Sequence, residues 1–147
     1  MTAPNRRLVR EAIGAGVVSA TATLTPVPVV YDYLKTGFEG ESPIVRVWSE
    51  SAQRPESRTQ NINNAIRITI QVWVLVDENA TDAEQAASED MLDNIEVAIA
   101  NWVIDNTQTT AWNQLHYERP SLIQSTLIGP YTYLVEQISL LALVGGA

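Results

Sequence analysis

One histidine, no cysteine and seventeen acids set the chemistry open to this chain of 147 residues. His116 has Asp105 and Glu118 as its acidic candidates for a shared metal, but no second histidine or cysteine completes a usual zinc set. Beside Tyr117 it reads as an ordinary strand residue. A Ser-His-Asp triad has serines to draw on, yet no Gly-x-Ser-x-Gly elbow holds a nucleophile. Asp90 with Asp93, and Glu89 with Asp93, are close enough on a helix for general acid–base work, but on its solvated side. Asp77-Glu78-Asn79 lacks the spacing and the turn glycine of a calcium loop. Gly37-x-x-Gly40 and Gly145-Gly146 lack the strand–loop–helix setting and the lysine of a phosphate-binding loop. The residues therefore name no catalytic group, no metal and no cofactor, and the expectation is a protein that is not an enzyme.

Charge narrows the partners. The net charge is −8, and Lys35 is the only lysine. Binding nucleic acid through phosphates needs clustered Lys and Arg. Here Arg6, Arg7 and Arg10 sit near the start and the other bases are scattered, while 77–105 holds many acids and no base. Such a run reads first as a solvated helix face. It also suits a surface that faces a polyanion without holding it. No apolar run approaches the roughly 20 residues of a membrane span, and the basic start is followed by Leu8-Val9-Arg10-Glu11 rather than an apolar stretch, against a signal peptide. Absent cysteine, a reducing compartment is compatible.

Hydrophobic periodicity supplies the elements that must position any site. Ile66, Ile68, Ile70, Val72, Val74 and Val76 alternate with Arg67, Thr69, Gln71 and Trp73, a strand with one apolar and one mostly polar face. Thr81 and Glu84 then form a capping box. Behind it Ala87, Met91, Leu92, Ile95, Ala98, Ile99 and Trp102 make one helical stripe, with Glu84, Glu89, Asp90, Asp93 and Glu96 largely off it. Leu8, Val9, Ala12, Ile13 and Val17 predict a first helix, ending near Gly14 and Gly16 because glycine weakens helices. Thr25-Pro26-Val27-Pro28 predicts a rigid extended linker, and 29–34 a short strand or a turn. Gly37-Phe38-Glu39-Gly40 reads as a turn. Alternation resumes at 43–49, at Leu115-His116-Tyr117 and across 131–144. Residues 50–64 are polar and longer than a hairpin needs, which makes them an extended loop or arm.

Helix, strands, helix, strands is the order of an α+β fold. The expectation is a single domain over 1–147, a twisted and mostly antiparallel sheet with an N-terminal helix and one long amphipathic helix packed on it. The core is expected from Ile68, Ile70, Val72, Val74, Leu92, Ile95, Ile99 and Trp102. Among the tryptophans Trp48, Trp73, Trp102 and Trp112, Trp73 stands out on the polar strand face, which suggests that this face is covered as well. Trp73 and the arm residues Arg54, Pro55, Arg58 and Asn61 are accordingly the expected interface.

Several local patterns, in this order, resemble the tail-terminator (minor tail protein U-like) family of long-tailed bacteriophages and related particles. They are Arg7-Leu8-Val9-Arg10-Glu11-Ala12-Ile13, Val29-Val30-Tyr31-Asp32-Tyr33, Phe38-Glu39-Gly40-Glu41-Ser42-Pro43-Ile44-Val45-Arg46-Val47, the strand 66–76, the capped acidic helix 81–102 and Tyr131-Thr132-Tyr133. The resemblance covers nearly the whole chain, in pattern rather than in a short diagnostic motif. It implies a structural virion protein at the head–tail junction, assembled in the host cytoplasm. Its partners would be itself, as a homo-hexameric ring, the major tail tube protein and a head-completion or neck protein. DNA would pass through the lumen without specific binding. Another neck or tail ring component, such as a head-closure or tube protein, and a non-viral small adaptor are the alternatives. In a ring the acids of 77–105 would repel DNA if they lined the lumen; the expectation is that the helix lies on the outer rim, leaving strand or loop residues such as Glu39, Glu41 or Glu50 inside.

Overall fold

The computed structural model describes residues 3–37, 40–55, 63–77 and 79–145. Its elements are α1 (Arg6–Thr21), β1 (Val29–Tyr31), β2 (Ile44–Gln53), β3 (Asn63–Val76), α2 (Asp82–Asp105), β4 (Gln114–Tyr117), β5 (Leu122–Ile128) and β6 (Tyr131–Gly145). The six strands form one sheet in the order β1-β2-β3-β6-β4, with β5 also on β6. Only β1–β2 is parallel. The α+β reading holds.

The centre of the sheet is the long antiparallel pair β3–β6, in which Ile66 faces Ala142, Ile70 faces Ile138 and Val74 faces Leu134. Because side chains alternate along a strand, this register gathers the apolar sides of both strands on one face. Both helices pack there: α1 over β1 and β2, α2 mainly over β3 with lesser contact to β6 and β4. The expected core residues of β3, with Leu92, Ile95 and Ile99 of α2, all lie in it, and Trp102 packs on its margin. At the start of α2 the Thr81 hydroxyl accepts from the Glu84 N–H (3.2 Å) and donates to the Glu84 carboxylate (3.1 Å). Asp82 and Glu84 in the first turn also suit the positive end of the helix dipole. The side chain of Asn5 caps α1, accepting from the Arg7 N–H at 2.8 Å.

Three boundaries differ from those expected. α1 does not stop at Gly14 or Gly16; it runs to Thr21. The glycines are there for space, since a Cβ on Gly16 would lie 2.0 Å from the Trp102 ring and one on Gly14 would lie 2.8 Å from Asp32 Cβ. β2 continues past Ser49 to Gln53 through an irregularity at 49–51, and β3 begins at Asn63. The arm expected at 50–64 is thereby reduced to 54–62, because paired backbone absorbs its two ends. Last, 122–128 has no period-2 pattern, yet forms β5, joined to β6 through Gly129 (φ 57°) and Pro130. β4 and β5 run one after the other along the same edge of β6: Tyr117 faces Leu140, the Glu118 N–H donates to the Ser139 carbonyl (2.8 Å), and Leu122 faces Gln137. The linker at 25–28 contains a cis Thr25–Pro26 bond, and the segment 29–34 resolves as the three-residue β1.

Candidate functional site

The face of the sheet away from the helices carries the expected interface residue Trp73, and that side chain is 5% exposed. Its own chain buries it. Trp73 packs edge-on against Tyr133 at 5.4 Å, within a small second core that includes Ile44 and Val135. The indole N–H donates to Gln71 Oε1 at 3.1 Å. Gly40 and Glu41, which lie between β1 and β2, reach this end of the sheet. There the Tyr133 hydroxyl accepts from the Gly40 N–H (2.9 Å) and donates to the Glu41 carbonyl (3.0 Å). The aromatic face is covered as expected, and no second subunit is needed to cover it.

Beside Trp73 the Arg46 guanidinium lies between two indoles, 5.0 Å from the Trp48 ring and 5.1 Å from the Trp73 ring. It donates to Gln71 Oε1 (2.9 Å) and to the Lys35 carbonyl (2.8 Å), and Gln71 Nε2 donates to Gln137 Oε1 (2.9 Å). Burial pulls the Arg46 pKa down from its ordinary value, while the indole faces offset part of the lost hydration. The row ties the Lys35 carbonyl to β2, β3 and β6. Farther along the same face Thr69 donates to Glu50 (2.6 Å) and Arg67 pairs with Glu118 (2.8 Å). His116 is half-buried next to them and its Nδ1 has no hydrogen-bond partner.

Of the expected arm, Arg54 donates to the Pro4 carbonyl (2.9 Å) and to Asn64 Oδ1 (3.1 Å). The root of the arm is thereby tied to the start of α1, far from Trp73, so the expected interface does not form one patch. Pro55 is exposed. Arg58 and Asn61 lie outside the described residues, as do Phe38, Glu39 and Glu78.

The groups with the most perturbed environment are ones the sequence analysis passed over. Glu136 faces Val72 across β3–β6, on the side of the sheet that carries the helices, and is 3% exposed. One of its oxygens accepts from the Ser121 hydroxyl at 2.6 Å. Burial raises its pKa, the Ser121 hydrogen bond opposes this, and the charges of Glu96 and Asp93 on α2 add to the rise. Glu96 is raised in turn by burial and by Asp93, and its Oε2 is buried without a hydrogen-bond partner. The Tyr117 hydroxyl is likewise buried without one; burial, then Glu96 and Glu136, drive its pKa upward. A cue was present in the sequence, because Glu136 interrupts the apolar positions Leu134, Ile138 and Leu140 of one strand face.

These carboxyls bear on stability through proton linkage. A carboxyl whose folded pKa is raised holds more protons in the folded than in the unfolded state between the two values, so its contribution weakens as pH rises through that window and levels off above it. Glutamine at 136 can still accept from Ser121 but never ionises. Glu136→Gln should therefore melt above the wild type at pH 7, with the difference shrinking as pH is lowered toward the ordinary carboxyl range. Thermal melts between pH 4 and 7 check this, and a difference that does not change with pH would overturn the linkage.

Depressions open on the surface formed by the described residues. One of 320 Å³ is lined by Leu75, Val76, Asp77, Asn79, Pro130, Tyr131 and Thr132. Another, of 280 Å³, lies between Leu24–Pro26 and α2, with Asp90 its sole charged group. Among the described residues no three His, Asp or Glu side chains gather as metal ligands, and no helix is long and apolar enough to cross a membrane. The chain matches no known protein family, and no curated protein is similar enough to count as a relative.

Proposed function

We propose that this chain is a structural ring component of a long-tailed bacteriophage-type particle, seated at the head-proximal end of the tail tube. In this reading it ends tube polymerisation and presents the surface to which the head joins. The resemblance of element order and local patterns supplies the family. The observation that carries the reading is the placement of both helices on one face of the sheet, with Arg46, Gln71, Gln137 and Thr69 on the other. A layered subunit of this kind suits a ring with helices, and with them the acids of α2, on the rim. The polar face of the sheet or its adjoining loops would then look toward the bore. DNA crosses such a bore without specific contact, in keeping with the net charge of −8.

Particles assembled without the protein should carry tails of uncontrolled length that fail to join heads, and adding the purified protein during assembly should restore both. Tails of normal length on joined heads in its absence would remove the proposal. Deleting 55–61 addresses the arm. The domain should keep its melting behaviour, because the paired strands end at Gln53 and resume at Asn63, while tail ending and head joining fall. Unimpaired assembly would make the arm a solvated connection only.

A further inference from the structure

The edge of the sheet beyond β6 is closed along β4 and open along β5. The Asn113 and Glu118 N–H groups donate to the Leu143 and Ser139 carbonyls at 2.8 Å, so the odd-numbered residues of β6 turn their backbone groups toward this edge. In β4 that leaves Leu115 facing outward, and its N–H is used: it donates to the Thr107 carbonyl at 2.9 Å. In β5 the register sets Leu122, Gln124, Thr126 and Ile128 against odd-numbered residues of β6. Ile123, Ser125 and Leu127 therefore point their N–H and C=O groups away from β6. Among the described residues no backbone group bonds to them there.

An open edge is commonly blunted by charge, proline or a bulge. β5 has none of these in Leu122-Ile123-Gln124-Ser125-Thr126-Leu127-Ile128. Its Leu122, Ile123 and Leu127 are 62%, 48% and 68% exposed. The opposite edge of the sheet is different. Past Arg46, where β1 stops pairing, β2 carries Glu50 and the irregularity at 49–51. The side chains of β5 also read alike in both directions: two apolar, three polar, two apolar.

We propose that β5 pairs antiparallel with β5 of a second copy, about a two-fold axis at Ser125, joining the two sheets into one. In that register Ser125 meets Ser125 and Ile123 meets Leu127, and each pair exchanges the backbone bonds that a single chain leaves open. The side chains match as well. Ile123, which faces Glu136 on the α2 side of its own sheet, meets Leu127 there. On the other side Leu122 meets Ile128 and Gln124 meets Thr126. The occupant is a second copy because two-fold pairing needs a strand complementary to its own reverse, and β5 is one. The strand has no charge to set against its copy, and the exposed Arg119 just before it comes to lie at opposite ends of the paired strands. The contact is isologous, so it is distinct from the head-to-tail contacts that close a ring and does not rest on the tail reading.

Sedimentation of the full chain over a range of concentrations reads the contact. The wild type should pass from single to paired copies as concentration rises. Leu127→Lys and Ile123→Glu, both at exposed positions, should each weaken pairing several-fold while the chain keeps its melting behaviour. Combining them in one chain sets the new lysine against the new glutamate of the second copy, and pairing should return at low salt. The chain has no cysteine, so Ser125→Cys under a mild oxidant should form a disulfide with its own copy. Its yield should be several-fold above that of Gln53→Cys, exposed at the far edge. A chain that stays single at every concentration overturns the proposal, and so does assembly that neither charge substitution weakens. A double variant that pairs no better than the single ones overturns the register. More disulfide between Ser125→Cys and Gln53→Cys than within Ser125→Cys alone would put a head-to-tail contact in place of the two-fold one.

Discussion

Ile95→Ala should lower stability by about 2–5 kcal/mol, the range for truncating a large aliphatic side chain in a closed core. Ile95 is 1% exposed and sits among Leu92, Ile99 and the apolar side of the β3–β6 pair. Neighbours on a hydrogen-bonded sheet cannot move far to fill the vacated space, which favours the upper part of the range. At about 2–4 °C per kcal/mol for a domain of this size, the melting temperature should fall by roughly 4–20 °C. Asn101→Ala, on the exposed side of the same helix, should stay within about 0.5 kcal/mol. Denaturant melts of the two variants test the placement of the core. A loss below about 0.5 kcal/mol for Ile95→Ala would falsify it, since such a loss belongs to surface positions.

Gly16→Ala should also destabilise, by about 1–3 kcal/mol, although alanine is favoured over glycine in a helix by about 0.8–1.0 kcal/mol. The added methyl would lie 2.0 Å from Trp102 Cζ2 and 2.1 Å from Cε2, so the ring or the helix must move. Trp102 has little freedom to move. Its other side meets Trp112 edge-on at 6.1 Å, and the Trp112 indole N–H is held by the Asn106 carbonyl at 2.8 Å. Combining Gly16→Ala with Trp102→Leu should cost less than the sum of the two single changes, since the smaller side chain leaves room for the methyl. A Gly16→Ala protein that melts at or above the wild type would show that glycine is there for some other reason.

Both predictions depend on the same pairing of elements, and they differ in how visible it was. Alternation over 66–76 and the helical stripe from Leu92 to Ile99 are local patterns, and each implies a buried side whatever it packs against. The α+β class, the cap at Thr81 and most of the core therefore follow from the sequence. The role of Gly16 does not, because glycine in a helix reads locally as weakness, and only Trp102, brought alongside by the packing of α1 on α2, makes it a requirement. β5 was hidden for a related reason: it is an edge strand exposed on both faces, so burial imposes no alternation on it. The candidate interface shows the same limit. The sequence correctly set Trp73 on the polar strand face, but Tyr133, which covers it, and Gly40 and Glu41, which hold the Tyr133 hydroxyl, come from elsewhere in the chain, and Arg54 turns away to the start of α1. Glu136 gathers with Glu96 and Tyr117 only once the register of β6 lays it beneath α2. Which side of each element is apolar was decided residue by residue along the chain. Which distant groups share a space, and so which charges perturb one another, was decided by the tertiary structure, because packing joins residues that local periodicity cannot relate.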